Sequence, residues 1–375
     1  MSTIVGLFTE MLSAGGVQRA GRHVAAVTAT LASERGMTVR FLSLNDPQGL
    51  HPLRVGPSEF SVSGYGRSKL QFVLAALRAA GRDPDLVIAL HPHLAPIVWA
   101  MRTRSWKFRS IVFAHGIEVW QPLGWPRGAA LRRADLLLGP SADTVQHLIF
   151  DQKIPAGKVQ RLAWGLDPEF EERIAAHIHA DLPPGYPQNA RVILTVGRWD
   201  PAERYKGADT LIEALPRLRQ TSPDVFLVLV GGGEDRARLE RLALDLGVSE
   251  RTRFLQNLTQ DELFACNANC EVFALPSRGE GFGLVFLEAM AHGKPVIAGA
   301  HGGALDVIED GVTGLLVPYG DVARLCSALG SLLSDPVRAR ETGARGRDRL
   351  RSSFSFEQFQ SRLRQILREV LDRKH

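Results

Sequence analysis

Short apolar runs alternate with longer amphipathic segments along the first half of the chain. The runs predict strands at residues 4–8, 38–44, 86–90, 111–114 and 135–139, with helices over about 16–35 and 68–80. Strands that are apolar along their whole length and joined by helices are typical of a parallel sheet covered on both faces. The pattern therefore predicts an α/β domain.

The second half of the chain starts the same pattern again. Strands are predicted at residues 192–196, 225–230 and 272–274, and helices over about 208–219 and 236–246. A chain of 375 residues exceeds the usual size of one hydrophobic core. The pattern predicts a second α/β domain.

A charged, helix-like piece in residues 171–190 runs into a proline-rich stretch at 181–187, which suits an interdomain linker. We therefore predict domains at 1–185 and 186–355. The last residues, 356–375, form a predicted helix with one apolar face, made by Phe359, Leu363, Ile366, Leu367 and Val370.

The composition is that of an ordinary globular protein, with 45% hydrophobic and 23% charged residues. No apolar run reaches the ~18 residues of a membrane-spanning helix, and the start of the chain lacks a basic leader. Cys266, Cys270 and Cys326 are too few for a disulfide framework and too sparsely accompanied for a zinc site. We expect buried thiols and a cytoplasmic protein.

The net charge of +5 lies entirely in the first half. Residues 1–190 contain 20 Lys and Arg against 15 Asp and Glu, whereas residues 191–375 contain 25 of each. Segments 63–82 and 99–109 mix apolar or aromatic residues with basic ones, which favours a membrane surface or a lipid-linked acceptor. Ordinary helix packing with a solvated basic edge is the alternative, and no nucleic-acid partner is expected.

The most informative stretch is residues 276–298, which follows a predicted strand and opens a helix. Gly281 and Gly283 allow close approach of the backbone to a ligand, and the amides of a helix start near 282–285 suit a diphosphate. Glu280 precedes that helix start and Glu288 lies eight positions further on, which at the helical rise of ~1.5 Å per residue predicts a separation of ~12 Å between the two carboxylates. A glycosidase pair needs ~5 to 9.5 Å, so we expect two hydroxyl-binding carboxylates that flank a diphosphate.

Glu280 and Glu288, with Gly-Phe-Gly between them, resemble the E-x7-E motif of the retaining GT-B glycosyltransferases of family 4. Similar matches occur in order at residues 15–19, 115–118, 197–207, 231–234 and 302–317, so the resemblance covers nearly the whole chain. It implies an α/β GT-B fold of two Rossmann-like domains facing a central cleft. The C-terminal helix would pack back across the domains.

The resemblance also implies roles for individual residues. Arg198 and Lys206 match the basic pair that binds the donor diphosphate, and two cations suit a departing diphosphate. Glu288 matches the carboxylate that holds the ribose hydroxyls, whereas Glu280 and His115 match the residues beside the donor sugar. Solvent exposure of Glu288, helix capping by Glu280 and simple packing of His115 are the structural alternatives.

The remaining donor-binding positions are glycine-rich. Gly15 and Gly16, between the first strand and helix, could present amides to the diphosphate, and they lack the G-x-G-x-x-G spacing of a dinucleotide site. The expected contacts around the E-x7-E motif are Gly281, Phe282, Gly283 and Leu284.

The activity implied is retaining transfer of a hexose from a UDP- or GDP-sugar to a hydroxyl of a glycan, lipid-linked or small-molecule acceptor, in polysaccharide or glycolipid biosynthesis. We expect no metal and no cofactor, because the one Asp-x-Asp sequence, at 83–85, contains Pro84 and is typical of a turn. A sugar-nucleotide epimerase of the same fold and a non-catalytic sugar-nucleotide-binding protein are the alternatives. Residues 254–258 lack the family's Phe-x-Gly turn, which leaves the base open, and Asp306 replaces the usual Glu.

Overall fold

The computed structural model describes residues 2–168, 170, 173–174 and 181–373. The chain divides into two compact units, Met1–Pro168 with Ser355–His375, and Glu169–Phe354. The division falls earlier in the chain than the boundary near residue 185 predicted from the prolines. Most of the first ten residues of the predicted helix-like piece, 171–180, lie outside the described residues.

The first unit is built on a sheet with the strand order β3-β4-β2-β1-β5-β6-β7-β8. Its strands are β1 Thr3–Phe8, β2 Thr38–Ser43, β3 Gly49–Val55, β4 Ser58–Gly64, β5 Leu86–Ala89, β6 Arg109–Phe113, β7 Leu136–Gly139 and β8 Val159–Arg161. The helices described in this unit before residue 168 are α1 Gly16–Glu34, α2 Lys69–Ala80, α3 Ala95–Met101, α4 Arg127–Arg132 and α5 Ala142–Phe150. All described pairings are parallel except β3 with β4.

The second unit is a parallel sheet with the strand order β11-β10-β9-β12-β13-β14. Its strands are β9 Arg191–Val196, β10 Val225–Val230, β11 Thr252–Leu255, β12 Val272–Leu275, β13 Val296–Gly299 and β14 Leu315–Val317. Its helices are α6 Ala208–Thr221, α7 Arg236–Asp245, α8 Gln260–Asn269, α9 Leu284–Ala291, α10 Ala304–Val307, α11 Val322–Ser334 and α12 Pro336–Ser353. Two Rossmann-like α/β domains are therefore confirmed.

The last helix, α13 Phe356–Asp372, belongs to the first unit and packs on α1. The rings of Phe356 and Phe359 lie 5.1 and 6.0 Å from the ring of His23. His23 contacts the carboxylate of Asp167 at 2.8 Å. A buried imidazole thus connects α1, α13 and the segment that follows β8.

The structure also describes the cysteines and the apolar character of the helices. Cys266, Cys270 and Cys326 are free, buried thiols, as predicted. None of the helices in the described ranges has the length and apolar character that crossing a membrane requires.

Candidate functional site

The strand order of the second sheet reverses between β9 and β12, which lie side by side. In open α/β sheets, ligands bind beyond the carboxyl ends of the strands at this point of reversal. Arg198 follows β9 and Glu280 follows β12, so the two predicted donor contacts belong to the two loops that meet there. A 3-10 turn, Pro201–Lys206, adds Lys206 to the same edge.

Backbone contacts hold these loops together. The amide of Arg278 donates to the carbonyl of Tyr205 at 2.7 Å, and the amide of Gly303 donates to the carbonyl of Glu280 at 2.6 Å. A Cβ atom on Gly302 would lie 2.7 Å from that carbonyl oxygen, which is too close for a carbon atom. Only glycine, which has no Cβ, fits at this position. The glycines of the 302–317 match therefore fix the position of Glu280.

Glu203 is the centre of a small ion cluster. One oxygen of its carboxylate contacts the guanidinium of Arg198, and the other lies 2.9 Å from Nζ of Lys206. The Glu203 and Lys206 side chains are 11% and 14% exposed, whereas that of Arg198 is 74% exposed. The two predicted diphosphate contacts are therefore brought together, and Arg198 remains accessible to a ligand. Sequence reasoning missed Glu203, although an acidic residue between two matched basic residues was a visible signal.

Glu280 lies beside this cluster as a partly buried residue whose Oε1 atom is fully buried. Burial raises its pKa; the charge of Lys206 opposes the shift and that of Glu203 adds to it. The phenol of Tyr205 also has a raised pKa, through burial first and then through Glu280 and Glu203. Among the described residues, Oε1 of Glu280 has no hydrogen-bond partner. Since a buried polar atom without a partner is costly, this oxygen is a strong candidate for a ligand contact.

The start of α9 lies within the predicted range of 282–285. The helix begins at Leu284, and its N-cap is Gly283 in the left-handed region, with φ 93° and ψ 59°. No described side chain caps this helix start. Capping of residues 282 and 283 by Glu280 is therefore wrong. Because Glu280 lies outside the helix, helical rise does not set its separation from Glu288.

Glu288 faces the interior of the second unit. Only 6% of it is exposed, and it shares α9 with the buried Phe286, Leu287 and Met290. Its carbonyl accepts a hydrogen bond of 2.9 Å from Nδ1 of His292, whose pKa burial lowers to about 4. The alternative in which Glu288 is an ordinary solvated helix residue is therefore wrong.

In the first unit, the carboxyl end of β1 leads to the predicted glycine pair. Gly15 has a φ of 146° and is the N-cap of α1, which begins at Gly16. A Cβ on Gly15 would lie 2.4 Å from the side-chain oxygen of Gln18, whose amide nitrogen donates to Glu10 at 3.0 Å. Gly15 has no side chain with which to cap α1, so the first turn of the helix presents main-chain amides.

His115 follows β6, and its ring is fixed on several sides. Nε2 donates to the carbonyl of Leu90 at 2.6 Å, which places the proton of the neutral ring on that nitrogen. The ring stacks on Trp164 with the centroids 5.6 Å apart. The main-chain amide of His115 donates to the Glu118 carboxylate at 2.5 Å. His115 is thus a packed residue with a defined tautomer at the carboxyl edge of the sheet.

A second histidine at this edge was missed from the sequence. His91 directly follows the β5 region, and its ring lies 5.9 Å from that of His115. Burial lowers the pKa of His91 to about 4, opposed by Glu118, while the charges of His115, His93 and Arg127 add to the shift. The sequence feature that could have indicated His91 is its position just after β5, a fully apolar strand at the middle of the sheet.

Sequence profiles of two glycosyltransferase families match the chain. The profile described as "Glycosyl transferases group 1" matches residues 183–349, and that described as "Glycosyltransferase Family 4" matches residues 15–170. Together they span both units.

Individual proteins are similar over much of their length. A "GDP-mannose-dependent alpha-(1-6)-phosphatidylinositol monomannoside mannosyltransferase" of Mycolicibacterium smegmatis is 35% identical over 276 residues, covering 69% of this chain and 70% of that protein. A "D-inositol 3-phosphate glycosyltransferase" of Stackebrandtia nassauensis is 30% identical, covering 90% and 84%. The solved structure of sucrose-phosphate synthase from Thermosynechococcus elongatus superposes with a TM-score of 0.78 at 25% identity, covering 98% and 99%.

Proposed function

We propose that this chain, which belongs to the glycosyltransferases of group 1 and family 4, transfers mannose from GDP-mannose to an inositol-containing lipid acceptor with retention of anomeric configuration. Glycosyl transfer from a nucleotide sugar is the activity of the family. The choice of GDP-mannose and of a lipid acceptor rests on the name of the Mycolicibacterium relative, and an inositol-containing acceptor is common to the names of the Mycolicibacterium and Stackebrandtia relatives. The single observation that carries the proposal is the grouping of Arg198, Lys206 and Glu280 where the second sheet reverses its strand order.

The donor would bind across this grouping. Arg198 and Lys206 would hold the diphosphate, and the uncapped start of α9, with residues 281–284, would supply main-chain amides. Glu280 would accept hydrogen bonds from the sugar hydroxyls through its unpartnered oxygen, and Glu288 would hold the ribose. The burial of Glu288 and of Oε1 of Glu280 supports these roles, because a desolvated acceptor discriminates strongly for a hydroxyl-bearing ligand.

The proposed reaction needs one nucleophile and one leaving group. The acceptor oxygen forms a bond to C1 of mannose as the bond from C1 to the diphosphate oxygen breaks, and the electron pair stays with the diphosphate. The acceptor oxygen attacks C1 on the same face from which the diphosphate leaves, which gives retention, and the acceptor proton passes to a leaving phosphate oxygen. Arg198 and Lys206 stabilise the charge that develops on the leaving group, so we include metal independence in the proposal.

In the first unit, Gly15 and Gly16 would contact the diphosphate through their main-chain amides, and His115 would contact the donor sugar. Both assignments follow the family resemblance. The uncapped start of α1 and the fixed tautomer of His115 support them, because each presents a defined hydrogen-bonding group at the carboxyl edge of the sheet.

A transfer assay tests the proposal. We expect the full chain, incubated with GDP-mannose and vesicles containing phosphatidylinositol mannosides, to form a lipid-linked α-mannoside and release GDP. NMR of the product gives the anomer, and parallel reactions with UDP-glucose and UDP-galactose should run at least about tenfold slower. A β-mannoside would refute retention. An epimerised nucleotide sugar in the absence of acceptor would refute transfer.

The first unit also carries the proposed membrane contact. In segment 99–109, Trp106 is 72% exposed between the exposed Arg104 and Lys107. On α2, Leu70 and Leu74 are 71% and 41% exposed at a spacing of one helical turn. Three aromatic members of the two segments are not available for this contact, since Phe72 and Phe108 are buried and the guanidinium of Arg133 lies 4.4 Å from the centre of the Trp99 ring. The basic and apolar groups that remain exposed suit an anionic lipid surface.

Vesicle binding checks this contact. We expect the chain to sediment with vesicles containing phosphatidylinositol at low salt, and Trp106→Ser to lower the bound fraction at least about threefold. Phe150→Ser is the matched control: that ring is 69% exposed in the same unit but stands beside the carboxylate of Asp151. Equal losses for the two variants, or no binding by the parent chain, would contradict a specific contact through Trp106.

A further inference from the structure

The acidic residue in the ion cluster is the feature that the proposed function leaves unexplained. Binding a diphosphate requires positive charge, yet Glu203 places a nearly buried carboxylate between Arg198 and Lys206. An anion at this position repels a donor phosphate and neutralises part of the charge meant for it. A carboxylate kept there despite that repulsion needs a compensating role.

The Glu203 carboxylate contacts Arg198 and Lys206 at the same time. Each carboxylate oxygen takes one cation, so the two side chains are held at a fixed separation. The Glu203 amide donates to the carbonyl of Asp200 at 2.8 Å, and its backbone leaves helical geometry with φ −111° and ψ 18°. The next residue, Arg204, pairs at 2.7 Å with Asp235, a carboxylate whose side chain is 5% exposed. The turn is thus anchored on both sides of Glu203.

From this geometry we infer that Glu203 is a positioning residue, which sets Arg198 and Lys206 in place for the departing diphosphate before the donor arrives. The inference rests on the proposed role of those two cations. Arg198 has a long, 74% exposed side chain that would otherwise sample many rotamers, and fixing it in advance reduces the ordering needed at the moment of bond breaking. The benefit appears in the transition state, where the diphosphate carries most charge.

A positioning role for Glu203 affects kcat more than it affects binding of the donor or of GDP. In Glu203→Gln the amide oxygen can accept from one cation only, and the amide NH₂ group faces the other. Removing the negative charge also removes repulsion of the bound donor. We therefore expect kcat to fall about tenfold or more, while KM for the donor and Kd for GDP stay within about threefold of the parent values. Glu203→Asp keeps the charge and both oxygens, and should recover a large part of kcat.

The experiment compares the full parent chain with Glu203→Gln, Glu203→Asp and the control Glu240→Gln. The control removes an exposed carboxylate that pairs with Arg236 in the same unit. Kinetics use the donor that the parent turns over fastest, calorimetry gives the Kd of GDP, and thermal unfolding reports the fold. The expected result is a loss of kcat in Glu203→Gln alone, with unchanged binding and rescue by Asp.

Two results overturn the inference while leaving the proposed function intact. One is an undiminished kcat with tighter GDP binding in Glu203→Gln, which would make Glu203 only a competitor of the phosphate. The other is equal loss of activity and thermal stability in both Glu203 variants, which would make its role structural. If the parent chain neither transfers a sugar nor binds a nucleoside diphosphate, the proposed function fails and the inference fails with it.

Discussion

Replacing Glu280 with Gln should lower kcat for sugar transfer by about three orders of magnitude and leave the protein at least as stable at neutral pH. Removing one preorganised group that acts in the transition state typically costs ~10²- to 10³-fold in rate. Glu280 combines burial with an oxygen that has no partner among the described residues. The predicted loss corresponds to about 4 kcal/mol of transition-state stabilisation.

The effect of Glu280→Gln on stability follows from the sign of the pKa shift. Burial raises the pKa of Glu280 in the folded chain above its ordinary value of 4.5. The folded state then binds the proton more tightly than the unfolded state, so ionisation destabilises the fold as pH rises above 4.5. A neutral Gln removes this penalty. We expect the variant to gain stability over the parent at neutral pH, and the gain to disappear below pH 4.5.

Urea unfolding at a series of pH values, together with transfer kinetics, measures both effects. Glu309→Gln is the matched control, because that carboxylate is 57% exposed and pairs only loosely with Arg349 at 3.6 Å. Full activity in Glu280→Gln would exclude contact between this residue and the sugar. A large loss of stability at neutral pH would mean that the carboxylate serves the fold.

Parallel strands that are buried on both faces could be predicted from the sequence, whereas the short strands β8, β11, β13 and β14 were not predicted. β5 and β12 are apolar along their whole length and β1 is apolar after Thr3, so the run of hydrophobic residues is itself the signal. The hairpin of β3 and β4 was missed for the opposite reason. Its strands are partly exposed, carry Pro52 and several serines and glycines, and have too few apolar residues to stand out.

The motifs that carry the candidate site were visible in the sequence, but the structural environments of their residues were not predictable. The burial of Glu280 depends on Gly302 and Gly303, which approach it from the loop after β13. The pairing of Glu203 with two cations depends on a turn whose backbone leaves helical geometry at that residue. Both are tertiary effects that local pattern and propensity do not contain.

Replacing Lys206, one of the two cations of the ion cluster, should give the second large effect on activity. Lys206→Met should lower kcat by about two orders of magnitude, because the ammonium lies beside both the proposed diphosphate site and Glu280. It should also destabilise the fold by about 3 kcal/mol, since it leaves a nearly buried carboxylate without one of its two partners. Chemical unfolding and transfer kinetics measure the two losses separately.

A double variant separates the two losses, because they have different causes. Adding Glu203→Gln to Lys206→Met removes the unpaired charge, and should restore most of the stability while leaving the enzyme slow. The same substitutions act on Glu280 in opposite directions: losing Lys206 raises its pKa further, whereas losing Glu203 lowers it. NMR titration of the Glu280 carboxyl carbon reads these shifts without relying on activity. Shifts in the same direction, or a Lys206→Met enzyme with parental kcat, would show that these residues do not share one electrostatic site.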